Sequence, residues 1–245
     1  MSEPEPYEPM PDDWQRALAV VAHPDDLEYG PACAIAGWTA QGREVAYVMV
    51  TRGEAGMDTV DPAEAARHRE REEIEAAALV GVQDVTFLDH RDGAVEYGLP
   101  LRRDIAAAIR RHRPEIVITL NFHERWRGGD WNSPDHRVVG RALLDAAGDA
   151  GNRWIFPELL AEGLEPWKGV RYAAVGGSPG ARHAVDVTDC WEKGVAALAA
   201  HRTYLDYLGP DHPMADARAF LERKVERFGR RFGGRPAIAF ELIGI

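Results

Sequence analysis

The sequence predicts an α/β fold: a Rossmann-like, mostly parallel β-sheet sandwiched by helices, with a C-terminal α/β extension. Three observations predict it. Short apolar runs recur at residues 17–21, 45–50 and 116–120, each of strand length and each rich in Val, Ile or Ala. Charged, helix-period segments separate them, which calls for parallel strands joined by right-handed crossovers. The 245 residues are 45% hydrophobic, enough for one large core. We therefore expect a single domain over 1–245, with residues 1–13 as a flexible arm or an edge-covering segment and residues from about 150 to 245 as a continuation of the same domain.

The elements follow in order. A first strand over about Arg16–Ala22 leads through a turn into a helix over about Pro31–Gln41, where small residues allow close packing and Gly42 suits the left-handed stop. A second strand covers 45–51. Asp61-Pro62 is a good helix start, an N-cap followed by proline at the first helical position, and Gly81 ends that helix near Val80. The charged run Arg67–Glu73 in its first half reads mostly as a solvated face. A third strand spans 85–89 and is followed by a turn, His90-Arg91-Asp92-Gly93. An amphipathic helix over Leu101–His112 puts Ile105, Ala108 and Ile109 inward. A fourth strand covers 115–120. A long polar, aromatic loop over 121–132 then runs into Ser133-Pro134, a second N-cap with proline at the first helical position. Later segments predict strands near 170–175 and 184–187, a helix from Thr188 or Asp189 to about Tyr207, another over about Met214–Phe228, and a last strand over 237–243.

Composition narrows the function. A net charge of −11 argues against nucleic acid and against a basic membrane-surface patch. No apolar run reaches the length of a membrane span, and the acidic, Pro-rich start lacks the apolar core of a signal peptide. The two cysteines, Cys33 and Cys190, stand far apart and outside any CxxC pattern, so neither a disulfide framework nor a thiolate metal site is expected. The expectation is a soluble, cytoplasmic protein acting on a small molecule, with a composition compatible with a homo-oligomer. A nucleotide-binding module of the same fold class is excluded, because no GxGxxG follows the first strand.

What stands there instead is Ala22-His23-Pro24-Asp25-Asp26. The C-terminal edge of an open α/β sheet is where ligands bind. A solvated loop would use the same residue types, but two later segments reach the same edge: Thr51-Arg52-Gly53-Glu54-Ala55-Gly56 and Ser133-Pro134-Asp135-His136. His23 and Asp26 lie three apart, so one tight turn can bring both to a single ion, and His136 supplies a third donor from a helix start. Two histidines and a carboxylate with an open fourth position form a catalytic zinc arrangement. Asp25, between the first two ligands, is placed to act as general base. Trp126 and Trp131 flank the loop as sugar platforms or packing anchors. His68, His90, His112 and His212 read as surface or turn residues.

The chain resembles the LmbE / PIG-L family of zinc-dependent N-acetylglucosaminyl deacetylases. The resemblance rests on AHPDD, on TRGEAG, on a helix carrying Arg69, Glu72, Ala76, Ala77, Gly81 and Val82, and on PDH, and it extends to Asp186, Lys193 and His201. It implies Zn²⁺ on His23, Asp26 and His136, Asp25 as the base, Arg69 and Glu54 toward the sugar, and an N-acetylated sugar conjugate as substrate. The chain departs from the family at Ser133, where the family pattern HPDH carries its first histidine. A serine is a poor acid at neutral pH. His123, Ser133, Asp135 and His201 are therefore the candidates for an acid, an oxyanion donor or a supporting contact, unless Asp25 shuttles the proton itself. An alternative reading is a zinc-binding member with altered or weak catalysis, acting on a non-sugar amide or serving a regulatory role.

Overall fold

The computed structural model of the chain describes residues 5–245. A two-residue strand β1 (Glu8–Pro9) precedes β2 (Arg16–Val21), the short helix α1 (Asp26–Tyr29) and α2 (Ala32–Ala40). Then come β3 (Glu44–Met49), α3 (Pro62–Leu79), β4 (Asp84–Phe87), α4 (Leu99–His112), β5 (Ile116–Leu120) and α5 (Pro134–Ala150). The later part consists of α6 (Glu158–Ala161), β6 (Tyr172–Gly176), β7 (His183–Asp186), α7 (Trp191–Ala199), α8 (Arg202–Leu208), α9 (Ala217–Gly229) and β8 (Ala237–Gly244).

Among the described residues the strands form one eight-stranded sheet in the order β1-β7-β8-β6-β5-β2-β3-β4. Strand β2 pairs in parallel with β3 on one side and β5 on the other. The winding reverses there, and a crevice opens beyond the C-terminal ends of β2 and β5, the position at which α/β sheets bind ligands. Strand β8 runs antiparallel to both β6 and β7, so the C-terminal extension shares the sheet.

The alternation of side chains along β2 feeds two cores, one on each face of the sheet. Ala17, Ala19 and Val21 face a layer made by α2, α3, α7 and α9, while Leu18, Val20 and Ala22 face α4 and α5. Both faces are covered, which is why β2 reads as a continuous apolar run rather than an alternating one. The helix starts obey their signals. Asp61 Oδ1 accepts from the N–H of Ala63 at 3.0 Å and of Glu64 at 3.3 Å, and Ser133 Oγ accepts from the N–H of His136 at 3.1 Å.

Glu8 and Pro9 pair with His183 and Ala184 at the sheet edge, the edge-covering alternative for this segment, and the N–H of Tyr7 donates to Arg231 O at 2.8 Å. Met1–Pro4 lie outside the described residues. The helix expected through Tyr207 is broken at Ala200–His201 into α7 and α8, and His201 is the residue before α8. The charged stretch of α3 is not all solvated: Arg69, Glu72 and Glu73 are buried. Residues three and four apart on a helix share a face, and this face of α3 turns toward the crevice.

Candidate metal centre and catalytic site

Chain geometry brings the AHPDD segment to the crevice. Asp25 follows β2 in the left-handed region, at φ 89° and ψ −19°, a conformation that Asp tolerates better than most residues. It turns the chain so that α1 starts at Asp26. Gly30 closes this helix against the end of β5: a Cβ there would lie 2.5 Å from Asp26 O and 2.9 Å from Leu120 Cδ1.

His23, Asp26 and His136 converge, with one donor atom from each within 4.8 Å of the others. His136 Nε2 lies 2.9 Å from Asp26 Oδ1, and His23 Nδ1 lies 3.6 Å from Asp26 Oδ2. Ligands at zinc-like bond lengths in a tetrahedron stand about 3.3 Å apart, so these separations fit one small divalent cation.

The remaining nitrogen of each histidine is also held. His23 Nε2 lies 3.1 Å from Asp92 Oδ1 and 3.3 Å from Asp135 Oδ2. His136 Nδ1 lies 2.9 Å from Asn132 Oδ1. Acceptors on the far nitrogens hold protons there, so that when a metal displaces the protons Nδ1 of His23 and Nε2 of His136 share with Asp26, these two nitrogens would be the lone-pair donors, the arrangement of metal-binding histidines. Asp135 also accepts from Gly93 N at 2.7 Å and Val95 N at 3.2 Å, tying the 90–95 turn to α5. Asn132 is buried, and its amide donates to Asn121 O and His123 O at 2.7 and 3.0 Å. Replacing Asn132 by leucine frees the His136 ring. We expect the variant to bind Zn²⁺ roughly 10- to 100-fold more weakly while keeping the fold, as read by competition with a chromophoric chelator.

Electrostatics divide the two aspartates. Burial alone would raise Asp26, but His136, by charge and hydrogen bond, and then His23 hold its carboxyl well below the ordinary range. Burial would lower His23, yet its hydrogen bonds to Asp135 and Asp26 raise it well above the ordinary imidazole value. Asp25 moves the other way: burial pushes it up, Arg69 pulls against the rise and Asp26 adds to it. A carboxylate raised in this way is a better proton acceptor, as a general base requires.

Behind Asp25 lies a buried polar layer. Arg69 is 2% exposed. One of its guanidinium nitrogens lies 3.0 Å from Asp25 Oδ2 and also reaches Pro24 O, and the group sits over the Tyr204 ring, 4.0 Å from the centroid. Glu73 Oε2 accepts from the N–H of Asp25 at 3.0 Å. His201 Nε2 stands 3.4 Å from Glu28 and 3.7 Å from Glu73, all three being fully buried. Burial keeps His201 below its ordinary value despite Glu73. It also lifts Glu28 to about 8. The folded state therefore keeps the Glu28 proton where the unfolded chain has lost it. Stability from this group is full below about pH 4.5 and is lost as pH rises through about 8. Glu28→Gln should accordingly stabilise the metal-free protein at pH 8 by on the order of 2 kcal/mol, with the gain vanishing toward pH 4.5. Urea unfolding at the two pH values measures it.

The other candidates are placed as follows. Glu54 accepts from Arg52 N at 3.2 Å and Asp92 N at 2.8 Å, on the loop after β3. Ser133 serves as the cap of α5. Trp126 stands edge-on to the His136 ring at 5.8 Å, whereas Trp131 is exposed, with Arg125 and Arg137 over its ring. His90 and His183 pair with Asp104 and Glu8 at other surfaces. Lys193 is exposed, and Asp186 pairs with Arg235. Sequence reasoning missed Asp92, Asn132, Glu73 and Glu28 as parts of the site. The signal for Asp92 was available: it follows β4, and the loops after β2, β3 and β4 all leave the same edge of a parallel sheet.

The chain is similar to several known proteins. The diacetylchitobiose deacetylase of Thermococcus kodakarensis is 28% identical over 193 residues, covering 78% of this chain and 70% of that protein. The probable N-acetyl-α-D-glucosaminyl L-malate deacetylase 2 of Bacillus anthracis is 32% identical over 139 residues, 54% of this chain and 59% of that protein. Among solved structures, the N,N′-diacetylchitobiose deacetylase of Pyrococcus horikoshii superposes with a TM-score of 0.84 at 26% identity, covering 94% of this chain and 84% of that one. Residues 18–147, which run from β2 through the crevice loops into α5, match the GlcNAc-PI de-N-acetylase (PIG-L) family, and the chain belongs to that family.

Proposed function

We propose that the protein is a zinc-dependent hydrolase that removes the N-acetyl group from an amino-sugar conjugate. The observation that carries this reading is the convergence of His23, Asp26 and His136 beside Asp25 at the sheet's switch point. Family membership and the deacetylase relatives support the same chemistry.

In this reading His23, through Nδ1, Asp26 and His136, through Nε2, would hold the cation. Bound there, Zn²⁺ supplies the Lewis acidity that polarises an acyl oxygen and acidifies water. The chain's own residues do the rest. Asp92, Asp135 and Asn132 keep the two imidazoles aimed. Asp25 takes the proton of the attacking water, and Glu73 and Arg69 hold Asp25 from behind. Glu54, half-buried on the loop after β3, is assigned to the sugar's side of the site, whereas Arg69, expected there too, is read as acting through its grip on Asp25. Trp126 walls the crevice next to His136, where an aromatic face suits a sugar ring.

Residues 1–245 are read as a single domain, because strands from both halves share one sheet. Among the described residues no helix is long and apolar enough to cross a membrane. The acidic composition and two buried, free cysteines support a cytoplasmic setting.

The test is amine release from N-acetylglucosamine and N,N′-diacetylchitobiose by zinc-loaded protein, with and without chelator. Release that chelator stops and zinc restores is the expected result. Stoichiometric zinc with no release from either sugar sinks the substrate class, and no bound metal sinks the centre.

A further inference from the structure

The amide hydrolysed in this reading must leave as an amine, and an amine departs only with a proton. Residues already placed do not supply it. His23 and His136 have both nitrogens engaged, and Asp25 receives the proton of water. Ser133 has its oxygen turned to the N–H of His136, and a hydroxyl is a poor acid at neutral pH.

One further imidazole stands at this edge, and the structure grips it. His123 lies just beyond β5, with its side chain 38% exposed, and its Nε2 is 2.7 Å from Glu241 Oε2. Glu241 comes from β8, paired opposite Val175 near the C-terminal end of β6. Ser178 Oγ donates to the same Glu241 oxygen and accepts from Gly180 N at 3.0 Å. A carboxylate only accepts, so Nε2 of His123 carries the shared proton and Nδ1 is the nitrogen left for a substrate. The His123 main chain is tied to the centre as well. Its N–H donates to Asn121 Oδ1 at 3.2 Å, and its carbonyl accepts from the Asn132 amide whose oxygen faces His136. A half-exposed loop histidine whose ring is held by a strand carboxylate, and whose backbone carbonyl is tied through Asn132 to a metal-site imidazole, has the build of an oriented acid.

We propose that His123, held by Glu241 and Ser178, protonates the leaving amine. This rests on the deacetylase reading. Water gives one proton to Asp25 and its oxygen to the acyl carbon. As the C–N bond breaks, its electron pair goes to nitrogen, which takes the Nδ1 proton of His123, and the carbonyl re-forms. Amine and acetic acid result, and the Asp25 proton returns to His123 through water. Glu241 is a positioning residue, and Ser178 orients Glu241.

The experiment compares two leaving groups on zinc-loaded enzyme: the amine of N,N′-diacetylchitobiose, which needs a proton, and the phenolate of 4-nitrophenyl acetate, which does not. His123→Gln should lower kcat on the amide by about 100-fold and on the ester by about threefold or less. Glu241→Gln should lower kcat on the amide by about tenfold, again sparing the ester. The donating form of His123 is the imidazolium, with Nε2–H on Glu241 and Nδ1–H toward the amine; in the metal-free protein, ¹⁵N spectra at a pH where the ring is neutral should show that Nε2–H is the proton retained, with that preference lost in Glu241→Gln. Equal losses on both probes, no loss on the amide, or an Nδ1–H tautomer in the parent would overturn the assignment. A parent that hydrolyses the ester yet releases no amine from sugars sinks the deacetylase reading, and the acid with it. If Glu241→Gln does not fold, the loop variant His123→Gln carries the comparison alone.

Discussion

Asp25→Asn is expected to lower amine release by about 10²- to 10⁴-fold while leaving metal content unchanged. The substitution isolates the proton transfer because it keeps nearly everything else. Asn is isosteric with Asp and is also enriched in the left-handed region that residue 25 occupies at φ 89°. The backbone N–H that Glu73 holds is retained, so the turn that delivers Asp26 persists. The proposed ligands His23, Asp26 and His136 are untouched. What is lost is the one carboxylate beside the centre that burial has made more basic and that binds no other member of the ligand set. Rate measurements paired with metal analysis check the prediction. An Asp25→Asn enzyme within tenfold of the parent would remove Asp25 as the base, and one that has lost its metal would make Asp25 part of the ligand shell.

Most of the fold, and the convergence of His23, Asp26 and His136, were legible in the sequence. The β2 run, the Asp61-Pro62 and Ser133-Pro134 starts and the Gly42 and Gly81 stops each carry their own local cause, and the structure reproduces them. The convergence was legible from topology. A parallel sheet sends every strand-end loop to one edge, so His23 and His136 could be placed together from topology alone. What was not legible depends on which face of a helix or strand meets the site. The α3 stretch from Arg67 to Glu73 has the composition of a solvated surface, yet Arg69, Glu72 and Glu73 are buried because that face packs toward Asp25 and α8. Glu241 was hidden more deeply. It looks like a polar residue in an ordinary last strand, and only the antiparallel return of β8 beside β6 brings it to His123. The break before α8 was likewise invisible, since Ala199-Ala200-His201 carries no Gly or Pro to announce it.

The second large effect concerns Arg69, where stability and substrate binding give opposite outcomes. Arg69→Met should cost about 3–5 kcal/mol of unfolding free energy, because it leaves the Asp25 carboxylate buried without its partner. The guanidinium is also packing material. A Cβ at Gly53 would lie 3.0 Å from Arg69 Nε, and a Cβ at Gly56 would lie 3.3 Å from a terminal nitrogen, so the 53–56 loop rests directly on it. Tyr204 closes the other side at 4.0 Å. Methionine replaces part of that volume but none of the charge, so the loss should fall mainly on the ion pair. The double variant Arg69→Met, Asp25→Asn then separates the two contributions. If the pair carries the effect, the double variant is more stable than Arg69→Met alone, and the coupling amounts to about 2 kcal/mol or more. Denaturant unfolding of the four proteins in the cycle measures it without any substrate. A contact made only to the sugar would behave differently: Arg69→Met would raise KM, leave the unfolding free energy within about 0.5 kcal/mol of the parent and show no coupling to residue 25.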